Sequence, residues 1–265
     1  MTAVLATIAL ALIAISGVLQ AVFLLKKGAR RDPVSHFILA AASLLLFATI
    51  VDRSLQIRFP AVTNTYESLV FFSATICLVI FVLPLVMKSA VLRFVLFGGT
   101  VVALALLMIS SSPLASKVIQ PPIPALQSLW LVLHVSLAFI GEAFFTVSLV
   151  AAIAFLAAKD EERKKAADRI MYTTIGIGYP IFTAGALIFG AIWAEVAWGT
   201  WWSWDPKETW ALVTWLVYTA YLHTRLVRRL RGRTSAILAI GGFVFTVFTF
   251  FGVNFLLSGL HSYAG

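Results

Sequence analysis

The sequence predicts an all-α polytopic membrane protein, a bundle of about eight transmembrane helices with both termini outside, forming a single membrane domain over residues 1–265. Three observations carry this. Of 265 residues, 61% are apolar and only 12% charged, whereas a soluble domain carries roughly a quarter charged residues. The apolar residues gather into runs of the roughly 20 residues that cross a hydrocarbon core of about 30 Å. The charges lie almost entirely in the short breaks between those runs.

In order, the first run covers 3–25 and ends on Lys26, Lys27, Arg30 and Arg31. No basic residue precedes it, which argues against a cleavable signal peptide. The second, 36–58, stops before Pro60; the third is 66–87; the fourth, 93–112, stops before Pro113. The fifth, 125–158, follows the Pro121–Pro122–Pro124 cluster and is long enough to tilt or project from the bilayer. The charged stretch Lys159–Arg169 is expected to continue it as a solvated stub. The sixth covers 170–192, the seventh opens on Pro206 and covers 206–228, and the eighth, after Arg225–Arg233, covers 235–258. Alternate loops hold 16 and 4 lysines and arginines, and the positive-inside rule assigns the richer set to the cytoplasm. The net charge of +9 is thus a topology device and does not point to nucleic acid. The single cysteine, Cys77, excludes a disulfide framework.

Six of the eight tryptophans fall within 193–210, in the outer break between helices six and seven. An interfacial aromatic belt explains one or two tryptophans per helix end. It explains poorly Trp198, Trp201, Trp202 and Trp204 within seven positions, or Gly199, a residue that permits close approach. A fixed aromatic surface suits a flat, largely apolar ligand. Asp205, Pro206 and Glu208 read as a helix start: cap, first helical residue, and the glutamate that closes a capping box. Their first role is to aim the tryptophan segment.

The four histidines sort by side. His134, about 13 Å into helix five, and His261 flank the tryptophan segment on the outer face. His223 lies about 26 Å along helix seven, near the inner face, and His36 opens helix two on that side. A lone membrane histidine usually hydrogen-bonds a neighbouring helix. A pair of neutral imidazoles beside a tryptophan platform points instead to axial ligation of haem iron. Glu142 is costly to ionise inside a helix, so it either tunes such a site or bonds another helix.

At these residues the chain resembles the CcsA (ResC) family of cytochrome c biogenesis proteins, within the haem-handling group that shares a tryptophan-rich WWD motif. The carriers are WGTWWSWDPKETW at 198–210, running on to His223, LHVSLAFIG at 133–141, GVNFLLSGLHSY at 252–263 and FPAVTNTYES at 59–68. The resemblance implies that His134 and His261 ligate an outer haem b. The WWD surface, Trp198, Trp201, Trp202, Trp204 and Asp205, lies beside it. It implies that His223 serves an inner haem site, whose second ligand is associated with a CcsB (ResB) type partner; His36 is our own candidate for that position. It implies attachment of haem to the C-x-x-C-H cysteines of apocytochrome c, on the extracytoplasmic side of a bacterial plasma membrane or, alternatively, a thylakoid. Of the four outer cations, Arg53, Arg58, Lys117 and Lys207, the second and last are the candidates for the haem propionates. Two other readings stay open: a carrier or regulator that binds haem without attaching it, and a solute or proton transporter working through Glu142.

Overall fold

The computed structural model describes residues 1–26 and 32–257, and every described regular element is helical. Eight helices follow one another: α1 (Thr2–Leu25), α2 (Pro33–Ile57), α3 (Thr65–Val86), α4 (Leu92–Ser111), α5 (Leu129–Ala157), α6 (Glu161–Trp198), α7 (Pro206–Thr224) and α8 (Arg233–Leu256). Seven are long and apolar enough to cross a membrane. The eighth, α7, is 19 residues long and carries Thr, Tyr, Trp and His along its length. The protein is a polytopic helical membrane protein. The contacts gather into two compact units, residues 1–127 and 128–265.

In unit 1, α2 packs on α1 and α3, and α4 packs on α1 and α3. Hydroxyls and amides join the helices, as expected where lipid supplies no hydrophobic drive between them. Thr100 donates to Gln20 Oε1 (3.1 Å), Ser43 to the Ala74 carbonyl (2.9 Å) and Ser73 to the Ala103 carbonyl (2.7 Å). The end of this unit is fastened by a buried ion pair. Arg53, 2% exposed, donates from Nε and Nη2 to Glu67 Oε1 (both 3.0 Å) and to the carbonyls of Lys117 and Val118 (3.1 and 3.0 Å). Glu67 Oε2 accepts from the Thr63 backbone and hydroxyl (2.9 and 3.1 Å). Arg53 is therefore engaged inside the unit and holds the segment after α4 against α2 and α3.

In unit 2, α5 packs on α6 and α8, and α7 packs on α8 and α6. One sequence expectation needs correcting here. The charged stretch after α5 does not prolong it. α5 stops at Ala157, and Asp160 caps a new helix by accepting from the Arg163 backbone (2.8 Å), with Glu161 and Glu162 in its first turn. Carboxylates at a helix N-terminus are favoured by the macrodipole, so this acidic cluster starts α6. That helix runs 38 residues to Trp198. It contains a π-helical stretch, Thr183–Phe189, and α8 contains another, Phe248–Gly252. At the far end Arg225 and Asp168 form a two-pronged pair (2.6 and 2.9 Å) that joins the end of α7 to α6.

Candidate functional site

π-helical turns free backbone groups from the usual i−4 ladder and collect at functional positions. In α6 the Gly185 carbonyl accepts the backbone N–H of Gly190, five residues on, and also faces His134 Nδ1 at 2.9 Å. A carbonyl only accepts, so Nδ1 of His134 carries the proton. The lone pair of the neutral ring is then on Nε2, the arrangement found where an imidazole ligates a metal. Space for this contact comes from two glycines. A Cβ on Gly185 would collide with the Ala138 backbone nitrogen and lie 2.7 Å from Leu137, and one on Gly190 would lie 2.9 Å from His134 Nδ1. Neither glycine was singled out from sequence, although they stand five apart in an otherwise unbroken apolar run.

Trp193, 2% exposed, lies parallel to the His134 ring, with centroids 6.0 Å apart and planes 9° apart. Trp198 meets Trp193 edge-on at 6.0 Å. The tryptophan segment therefore reaches His134 through Trp193. Gly199 ends α6 in the left-handed region (φ 73°), its N–H bonded to the Glu195 carbonyl (2.9 Å), with open space where a side chain would stand. Its role here is to stop the helix.

The turn that follows holds Trp204 at φ 60°, which costs a bulky residue about 1–3 kcal/mol unless its surroundings impose it. They do so from both sides. Glu208 Oε2 accepts from the backbone of Ser203 (2.8 Å) and of Asp205 (3.3 Å), and Thr209 donates to the Trp204 carbonyl (3.2 Å). Asp205 accepts from the Lys207 backbone (3.0 Å), and the capping box read from sequence is formed. The result displays Trp201 and Trp204, 59% and 69% exposed, with Trp202 edge-on to Trp204 at 5.7 Å. Trp198 and Trp202 are set deeper, and their buried indole nitrogens have no hydrogen-bond partner among the described residues. Two orphaned donors within the tryptophan segment fit a ligand that brings acceptors, as the two carboxylates of haem would.

The other sequence candidates fall elsewhere. His223, at the opposite end of α7 and exposed, turns its Nδ1 to the Thr219 carbonyl (2.8 Å), so its lone pair is also on Nε2. His36 belongs to unit 1, with its ring stacked on Phe81 at 4.4 Å. Lys207 points inward, donating to Asn254 Oδ1 (3.0 Å) above the Phe250 ring. Arg58 is exposed and caps α2 in the left-handed region (φ 54°). Glu142 is 7% exposed, and its Oε2 has no hydrogen-bond partner among the described residues. His261 lies outside the described residues.

The family model described as cytochrome C assembly protein matches residues 62–261, which take in α3 and the helices that follow it to α8. A cytochrome c biogenesis protein CcsA of Chlamydomonas reinhardtii is 36% identical over 87% of this chain and 68% of its own length. One of Guillardia theta is 35% identical over 84% of this chain and 82% of its own. One of Prochlorococcus marinus (strain MIT 9303) is 35% identical over 91% and 87%. Together with the histidine and tryptophan geometry, the extent of these matches shows that the chain belongs to the cytochrome c assembly protein family and, within it, to the CcsA group.

Proposed function

We propose that this protein is the membrane subunit of a cytochrome c synthase. Family membership carries the coarser statement, a role in cytochrome c biogenesis. The finer reading is that the chain holds haem b at the extracytoplasmic face and presents it for thioether attachment to the C-x-x-C-H cysteines of apocytochrome c. It works there with a CcsB (ResB) type subunit, in a bacterial plasma membrane or, in a photosynthetic setting, a thylakoid.

The observation that carries this is His134. Its tautomer is set by the Gly185 carbonyl, and its ring is held parallel to Trp193 at the edge of the tryptophan segment. His134 would offer Nε2 to the iron, with His261 as the second outer ligand on the family resemblance. Trp198, Trp201, Trp202 and Trp204 would cover the apolar macrocycle and exclude water, and the orphaned indoles of Trp198 and Trp202 would meet its carboxylates. Asp205 and Glu208 hold the turn that presents these rings. Haem, as substrate, supplies the two vinyl groups that the thiols attack. The protein's share is proximity and orientation, which in well-aligned systems remove about 7–11 kcal/mol of barrier. His223 would hold haem at an inner site before delivery, with a partner histidine as second ligand.

The test is an absorption spectrum of detergent-purified protein, made with and without the partner subunit, beside His134→Ala, His261→Ala and His223→Ala. Low-spin bis-histidine haem lost or altered in the first two variants, and separately affected in the third, is the expected result. Colourless protein in every case, partner included, would overturn the reading.

A further inference from the structure

Unit 2 contains a buried polar seam that the haem site does not use. On α7 the residues Lys207, Ala211, Thr214, Tyr218, Tyr221 and Thr224 recur at three- and four-residue spacing, and all but the half-buried Lys207 are buried. They share one face, which extends about 26 Å against a hydrocarbon core of about 30 Å. Against that face stand Glu142 and Ser148 of α5, and Ser235, Thr246, Thr249 and Asn254 of α8, all buried. Side chains touch across it at Lys207–Asn254 (3.0 Å), Thr214–Thr249 (3.3 Å) and Thr224–Ser235 (2.6 Å).

Polar residues between membrane helices commonly serve as glue, but glue satisfies its own groups. Of the six buried side-chain atoms left without a hydrogen bond among the described residues, four lie on this seam: Glu142 Oε2, Asn254 Nδ2 and the hydroxyls of Tyr218 and Tyr221. Ser148 and Thr246 stand beside the Tyr218 hydroxyl, but both donate their protons to the carbonyls of Phe145 and Gly242, so towards Tyr218 they can only accept, and the lone pairs of its oxygen are left for water. Lys207 lies within electrostatic reach of Glu142. Buried polar atoms of this kind are met by ordered water, which makes about three hydrogen bonds at such a site.

We propose that the seam between α5, α7 and α8 is a hydrated proton path through unit 2, with Glu142 as the group that takes up and releases the proton. A proton delivered by water adds to Oε2 of Glu142. The carboxyl then passes a proton to the next water and returns to carboxylate, and no electron changes hands. The Tyr218 hydroxyl relays by accepting on its lone pair while donating its own hydrogen. The charged groups facing the path are Lys207 and Asp205 at one end and Arg225 with Asp168 at the other. This activity stands apart from haem attachment.

The test uses the purified full-length protein in phosphatidylcholine–phosphatidylglycerol vesicles that contain a pH-sensitive dye and are driven by a potassium diffusion potential. Wild-type vesicles should take up protons faster than protein-free ones. Glu142→Gln should slow uptake by about a hundred-fold, the lower end of what a positioned proton-transferring side chain contributes. Tyr218→Phe, which keeps the ring and removes one orphaned hydroxyl, should slow it less. Wild-type uptake equal to that of empty vesicles, or unchanged uptake in either variant, overturns the proposal. Should Glu142→Gln fail to give monodisperse protein, Tyr218→Phe decides alone. An unchanged haem spectrum in the variants keeps this outcome separate from the haem reading.

Discussion

In residues 1–127 the most expensive buried groups are Arg53 and Glu67, and each guanidinium nitrogen and each carboxylate oxygen has a partner. In residues 128–265 Glu142 is almost as deeply buried, but among the described residues one of its oxygens has no partner, nor have two tyrosine hydroxyls, two indoles and an asparagine amide. Both π-helical stretches fall in that second unit as well. A fully satisfied polar network makes structure rigid, whereas an unsatisfied one calls for water, an ion or a ligand. The contrast sets a fully partnered polar network in residues 1–127 against an incompletely partnered one in residues 128–265, which is where the proposed haem site lies.

The largest expected effect tests the scaffold. Glu67→Ala leaves the Arg53 charge buried without its partner, which should cost about 3–5 kcal/mol. Thermal unfolding in detergent should show this, while haem bound by the surviving folded fraction keeps its spectrum. An altered spectrum would mean that the clamp belongs to the site.

Gly185→Ala comes next. Its Cβ would be driven into the α5 backbone, an overpacking cost of about 1–3 kcal/mol. Because the same carbonyl orients His134, the haem spectrum and reduction potential should shift along with the melting temperature. A melting shift alone would separate packing from ligation.

The smallest effect has the opposite sign. Trp204→Gly relieves a left-handed backbone strain and gives up little burial, so stability should rise by about 1 kcal/mol. Attachment of haem to a co-expressed apocytochrome should fall nonetheless. Stability gained with activity lost is what a residue strained for function predicts.

The helices are legible in sequence because the bilayer sets their length, and the eight runs match the eight helices closely except at both ends of α6, which begins at Glu161 rather than 170 and runs on to Trp198 rather than 192, so Trp193 and Trp198 belong to the helix and not to the break after it. That start was missed because alanine, lysine and glutamate are good helix formers and composition alone does not show the break at residues 158–160; the cap hydrogen bond assigns it. The capping box at Asp205 was legible since it is local, three residues from end to end. The partner of His134 was not, since Gly185 is 51 residues away and its carbonyl is released by a change of helical pitch that composition does not encode. The inward turn of Lys207 was hidden likewise: its partner, Asn254, is 47 residues on.

The π-helical stretch in α6 has a consequence for registry. An α-helix turns about 100° per residue, so a π turn shifts the phase of everything after it relative to an unbroken helix. Deleting one residue between Thr183 and Phe189 would let α6 close into uniform α-helix with Trp193 and Trp198 facing nearly as before, whereas winding the same residues at α-helical pitch with none removed would swing both by about that angle around its axis. So wound, the platform would keep every tryptophan and face them the wrong way. The wide pitch of that turn thus works as an angular setting, which lets one continuous rod carry an ordinary packing face at its start and the Trp193–His134 face at its end.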